Sequence, residues 1–281
     1  MSENRLLAGT PGASDLASER HRILGGTGGV CKEQRLGELL LTALTVDKER
    51  GARLDKPCGR YLAISFPPRL LRSEETEASL SRTLAAVLAY FLLPASEVLV
   101  AGLGNRRLTP DAFGPMTADG ISVTAALPRE LAKIGALPPT RVSVCAPDVF
   151  AHTGIESVES IAAAARLSRA QAVLAVDALA SSDKERLLTV FEISDSGTVP
   201  GAGMKRGRAV LSSEALGIPV VALGLPTAVR VDTSHFLVPQ ELEEGVTALA
   251  SVASHAIDLA FGFSPPTLPF PLSSLFTEEK T

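Results

Sequence analysis

The sequence predicts an α/β chain, a three-layer sandwich around a mostly parallel central sheet, and three observations carry that expectation. Short apolar runs of strand length, such as "VLVAGL" and "AVLAV", are too continuously hydrophobic to leave a wet face. Helical patterns sit between several of them, the alternation that places helices on both faces of a parallel sheet. At 281 residues the chain fits one core, since a single core can grow to about 250–300 residues.

Taken in order, residues 1 to about 30 mix Gly, Ser and charges without periodicity and include "GGTGG" at Gly25 to Gly29. This stretch reads as a flexible leader ahead of one domain over 31–281. Weak strand signal over Leu36 to Val46 is followed by a stronger run, "RYLAISFP", from Arg60. A helix is expected from about Glu74 to Leu93, stopped by Pro94, which cannot continue it. Strands are then expected at Val98 to Leu103, Arg141 to Cys145, Ala172 to Val176, Leu188 to Ile193 and Val220 to Leu223. Helices are expected over Glu156 to Leu167 and from about Gln240 to Phe261. Thr153 and Glu156 have the spacing of a capping box for the first of these.

Composition narrows the function. Hydrophobic residues make up 46% and charged residues 21%, and the net charge of −4, with no Trp and two Tyr, gives no general means of binding nucleic acid. The longest apolar run, Thr83 to Pro94, is about half of the ~20 residues a membrane span needs. Cys31, Cys58 and Cys145 form no CxxC pair, so neither a disulfide framework nor a thiolate zinc site is expected and the compartment is the reducing cytoplasm. The N-terminus lacks a signal-peptide layout.

In open α/β sheets, reactive groups collect beyond the carboxyl ends of the strands. After the run ending at Leu103 comes "GLGNRRLTPDAFGP". Gly102 and Gly104 begin a GxGxxG pattern, but the sixth position is Arg107, so a dinucleotide loop is not expected. What remains is a tight turn, Thr109 as a cap, Pro110 at a first helical position and Asp111 in the first turn. Gly114 and Pro115 are expected to end any helix there. After the run ending at Val176 comes Asp177, where an isolated buried carboxylate is costly. Carboxylates at two neighbouring strand ends can share one proton, one taking a proton from water while the other donates one.

Other chemistries find little support. HExxH and GxSxG are absent, and His21, His152, His235 and His255 have no metal-ligand spacing among themselves. No metal or cofactor is expected, with His152 the one residue kept as a possible ligand beside a carboxylate. Cys145 reads as core. The glycine-rich stretch Ser194 to Arg208 carries Lys205, Arg206 and Arg208, either a solvated loop or a basic lip for an acidic substrate.

The segments "GLGNRRLTPDAFGP", "VCAPDVFAHTGIES", "VLAVDALASSDKER", "ISDSGTVPGAGMKRGR" and "GIPVVALGLPTAV", in this order, resemble the germination (spore) proteases. "SDLASER", "GARLDKPCGRYLAISF" and "VPQELEEGVTALASVASHAIDLAF" extend the resemblance over nearly the whole chain. It implies a fold related to hydrogenase-maturation endopeptidases and an aspartic-type endopeptidase of small acid-soluble spore proteins, with Asp111 and Asp177 as the functional pair. Asn105, Lys205, Arg206 and Arg208 are taken as candidate substrate contacts. The resemblance further implies a forespore zymogen, a homo-oligomer that is tetrameric in the family, and a propeptide of about residues 1–15 with its junction near Asp15 and Leu16. The chain departs from the family in lacking an insertion between "TAVRVDTSH" and "FLVPQEL", and in reading "GAGMKRGR" in its glycine-rich loop.

Overall fold

A computed structural model describes residues 14–26, 30–68, 73–198, 210–231 and 235–277. Its strands are β1 (Val30–Leu36), β2 (Leu39–Val46), β3 (Gly59–Ser65), β4 (Glu97–Gly102), β5 (Arg141–Cys145), β6 (Ala172–Ser181), β7 (Val190–Ser194), β8 (Val220–Arg230) and β9 (Phe236–Leu237). Its helices are α1 (Ala17–Ile23), α2 (Lys48–Leu54), α3 (Glu74–Leu92), α4 (Phe113–Asp119), α5 (Glu130–Lys133), α6 (Phe150–Thr153), α7 (Ser157–Ser168), α8 (Ser213–Leu216) and α9 (Leu242–Ala260).

The strands form one sheet in the order β1-β2-β3-β7-β8-β6-β4-β5, with β9 beside the far end of β8. The expected parallel set is β5, β4, β6 and β8. On its other side β7, β3, β2 and β1 continue the sheet in antiparallel fashion, so the sheet as a whole is mixed. Chain length between strands explains the change of direction. Gly37, at φ +60°, turns β1 directly into β2. Residues 182–189, between β6 and β7, are fewer than the roughly dozen a parallel crossover needs.

One sheet face, with Ile64, Val100, Leu174, Phe191 and Leu223, packs on Leu84 and Leu88 of α3, Phe113 of α4 and Leu249 and Ala253 of α9. The opposite face is covered in two parts. Leu99, Ala101, Val173 and Ala175 meet Ile161 and Ala165 of α7, whereas Leu44, Val46 and Tyr61 meet Ala17 and Leu54, bringing α1 and α2 over the antiparallel half. Side chains of one parity on each strand thus face one helical layer, as period-two alternation requires.

Four expectations change. Residues 14–26 of the expected flexible leader are folded: Leu16 and Ala17 are fully buried, and an apolar pair so placed supports a short helix that its sequence alone would not. Gly114 and Pro115 do not end a helix but lie within α4. Pro115 sits in its first turn, where an N–H has no intrahelical partner to lose. The capping box does not form: Thr153 ends α6 and its Oγ1 accepts from the Ile155 N–H, so Glu156 is the residue at the start of α7. Finally β6 does not stop at Val176. It runs to Ser181, because β8 continues beside it to Val229 while β4 leaves it at Val176.

Candidate active site

The divergence of β4 from β6 makes the site. The last shared bond is from Leu103 N to Val176 O, 2.8 Å. The next residue on β6 is Asp177, and the chain after β4 turns away through Gly104. Gly104 has φ +114°, and a Cβ there would lie 2.1 Å from the Asp111 carbonyl oxygen, so only glycine fits. This glycine makes room for Asp111.

A 3₁₀ turn over Thr109–Asp111 carries Asp111, with Pro110 fixing φ at its start. The turn is tied down from three sides. Asp111 N donates to Leu108 O at 2.8 Å, Asn105 N donates to Asp111 Oδ2 at 2.8 Å, and Thr227 Oγ1 of β8 donates to Pro110 O at 2.5 Å. Gly114 lets α4 lie directly on the sheet, since a Cβ there would meet Val176 O at 2.3 Å.

Asp177 is 6% exposed and points to the α7 side of the sheet, the parity of Val173 and Ala175. Its Oδ1 accepts from Ala178 N at 2.9 Å. Burial, then the charge of Asp111, then that of Asp15, hold its carboxyl well above the usual carboxylate range. Asp111 and Asp177 both line one cleft of about 1080 Å³, together with Asp15, Lys56, Tyr61, Glu192 and Thr227. Leu108, Val149, Val210, Phe236 and Val238 give it an apolar rim. A second cavity, of about 570 Å³ between α3 and residues 265–272, has no carboxylate in its lining.

Several residues of the cleft escaped the sequence reading, Glu192, Lys56 and Tyr61 among them. Glu192, buried within β7, accepts from Ala17 N at 2.7 Å, Ser18 N at 3.1 Å and Ser18 Oγ at 2.7 Å, so it holds the start of α1. Lys56 Nζ donates to Asp15 O. Tyr61 donates its hydroxyl to Pro57 O at 2.8 Å, and burial raises its phenol pKa. Only Glu192 left a sequence signal, a charge within the apolar run "TVFEIS", which burial obliges to be paired.

Of the residues singled out in advance, Asp111 and Asp177 are brought together. Asn105 contributes its backbone N–H, while its side-chain Oδ1 accepts from Arg107 N at 2.9 Å. Asp15 enters the cleft wall and Leu16 is buried beside it. Lys205, Arg206 and Arg208 lie outside the described residues. His152 pairs with Asp148 at 3.1 Å, and among the described residues no group of three His, Cys, Asp or Glu could hold a metal. Burial pushes the Cys145 thiol up to about 11, in keeping with its packing against the α7 layer. Among the described residues no helix is long and apolar enough to cross a membrane.

An α/β sheet whose cleft joins two carboxylates, one of them raised well above the usual carboxylate range by burial, has the equipment of a hydrolase. The family model for germination protease matches residues 14–237, and the chain belongs to that family, as a peptidase of spore germination. Germination proteases of Bacillus cytotoxicus, Bacillus thuringiensis subsp. konkukian and Bacillus anthracis are each 33% identical to it, over 83% of this chain and 69% of theirs. A solved [NiFe] hydrogenase maturation protease, HycI from Thermococcus kodakarensis KOD1, is 21% identical, with a TM-score of 0.36 over 61% of this chain and 99% of that one.

Proposed function

We propose that the chain is an aspartic-type endopeptidase of small acid-soluble spore proteins, in which Asp111 takes a proton from water and Asp177 gives one to the leaving amine. The observation that carries this reading is that the buried Asp177 lines one cleft with Asp111, where burial and the Asp111 charge raise its carboxyl well above the usual range. Two nearby carboxylates cannot both ionise cheaply, so the pair holds one proton between them and is ready for both roles. The firmly held Asp111 supplies the base, and the desolvated Asp177 the acid.

The remaining features of this reading are a forespore or spore-core cytoplasmic setting, a zymogen whose propeptide is about residues 1–15, and assembly into a homo-oligomer such as a tetramer. The domain over 31–281 carries the chemistry, and Lys205, Arg206 and Arg208 offer a basic lip to acidic substrates. Purified small acid-soluble spore protein, incubated with the chain under exhaustive chelation, tests the reading. Cleavage that persists in chelator and is lost in Asp177→Asn supports it. Cleavage that stops with chelation replaces it with metal-dependent hydrolysis.

A further inference from the structure

Among the described residues, no strand lies against the β4 side of β6 past Val176, because β4 pairs only with Ala172 to Val176 of a strand that runs to Ser181. Residues 14–16 lie on that open edge. Asp15 N donates to Ala180 O at 2.7 Å, and Ala180 N donates to Asp15 Oδ2 at 2.8 Å. The first of these is a main-chain bond to an open edge, the way an extended peptide is taken up by a sheet, and the second is made by the Asp15 carboxylate. The carbonyl oxygen of Asp15, which belongs to the Asp15–Leu16 bond, accepts from Lys56 Nζ. Arg20 Nε donates to the preceding carbonyl, that of Ser14, at 2.5 Å.

We propose that Lys56 is the donor that holds the acyl carbonyl oxygen of a peptide bound along the open edge of β6, residues 14–16 being the chain's own peptide seen in that place. This rests on the aspartate reading above and adds to it the group that receives the developing negative charge. Water adds to the carbonyl carbon, its proton passes to the Asp111 carboxylate, and the carbonyl oxygen becomes an oxyanion against the Lys56 ammonium. When the C–N bond breaks, its electron pair stays on nitrogen, which takes the proton of Asp177. The proton on Asp111 then returns to Asp177, and both carboxyls are restored.

A lysine suits the task, because an ammonium already in place needs no reorganisation as the charge forms. Burial lowers the Lys56 pKa; Glu192, Asp15 and Asp55 oppose that shift and Arg20 adds to it. The Lys56 amine is the titrating group that faces the Asp15 carbonyl, within a setting of three carboxylates and one guanidinium.

The test follows two cuts in the full-length chain: its own Asp15–Leu16 bond, by mass spectrometry, and an added synthetic peptide of residues 10–21. Lys56→Met is expected to slow both by about 10²-fold or more, mainly through kcat. Lys56→Arg, which keeps a charged donor, is expected to recover much of the loss and to move the alkaline limb of kcat/KM upward, since guanidinium does not titrate there. If Lys56 only tethers residues 14–16, Lys56→Met frees the cleft and the added peptide is cut as fast as by wild type or faster. That result overturns the inference and leaves the aspartate pair standing. Full activity in Asp177→Asn overturns the aspartate reading itself, and a wild-type chain that cuts neither bond overturns both.

Discussion

The backbone N–H of Asn105 donates to Asp111 Oδ2 at 2.8 Å, so the residue just past the Gly104 turn fixes the carboxylate that follows it by six positions. Placement of Asp111 therefore depends on backbone geometry more than on side-chain packing. The turn itself depends on Gly104 having no Cβ.

Gly104→Ala is expected to displace Asp111. Its φ of +114° is a conformation that costs a side chain about 1–3 kcal/mol, and the new methyl would meet Asp111 O. Urea unfolding should show a loss of at least that order, and proteolytic kcat/KM should fall by about 10²-fold, as expected when a reacting group moves by ~1 Å. Wild-type activity in this variant would show that the turn does not set the site.

Thr227→Val removes the bond from β8 to Pro110 O with little change in volume. A neutral hydrogen bond contributes about 0.5–1.5 kcal/mol, so stability should drop by no more than that. Peptidase kcat should fall while KM holds, because the substituted residue steadies Asp111 and does not bind substrate. A rise in KM alone would assign Thr227 to substrate binding.

The pH dependence of stability follows from Asp177. Its folded-state carboxyl is held well above the ordinary range, so between the unfolded and folded pKa values the folded chain carries the extra proton. Stability then decreases as pH rises through that window. Asp177→Asn, neutral at every pH, should melt above wild type at pH 8. The gain should be on the order of 1.4 kcal/mol for every pH unit that separates the folded from the unfolded titration of this carboxyl. The difference should close as pH falls toward 4, as scanning calorimetry can follow. A variant that melts below wild type at pH 8 would contradict this account of Asp177.

Glu19 is the anchor of the N-terminal segment. It is 1% exposed and accepts from Ser14 Oγ at 2.8 Å, Ser181 Oγ at 2.8 Å and Ser182 N at 3.1 Å. Glu19→Ala leaves those donors unpaired, at a cost of about 1–3 kcal/mol. Residues 14–24 should then open more often, and the Ala180 amide, which donates to Asp15 Oδ2, should exchange with deuterium about 10-fold faster or more. Unchanged exchange would mean that Asp15 is held without Glu19.

That Asp111 and Asp177 share a cleft was foreshadowed in the sequence: Asp177 directly follows an apolar run, where a charge has few uses, and Asp111 sits in a proline-bearing turn beyond another. The parallel half of the sheet was readable for the same reason. In the antiparallel half β2, β3 and β7 also left strand signal, but β1 did not: "VCKEQRL" is an edge strand with polar residues along its length, and it forms by pairing with β2. Asp15, Lys56 and Glu192 come from three distant segments and share the cleft only after folding, so no local spacing joins them. Pro115 misled because a proline inside a helix looks like a stop unless its place in the first turn is known.

The claim on which the account stands is that Asp111 and Asp177 work on one water. The most direct measurement is the initial rate at which Asp111→Asn and Asp177→Asn, each checked for native circular dichroism and melting, cut purified small acid-soluble spore protein. The account predicts that each substitution alone lowers the rate by about 10²–10⁴-fold, the range of general acid–base catalysis, while the fold persists. Wild-type turnover in either folded variant would contradict it.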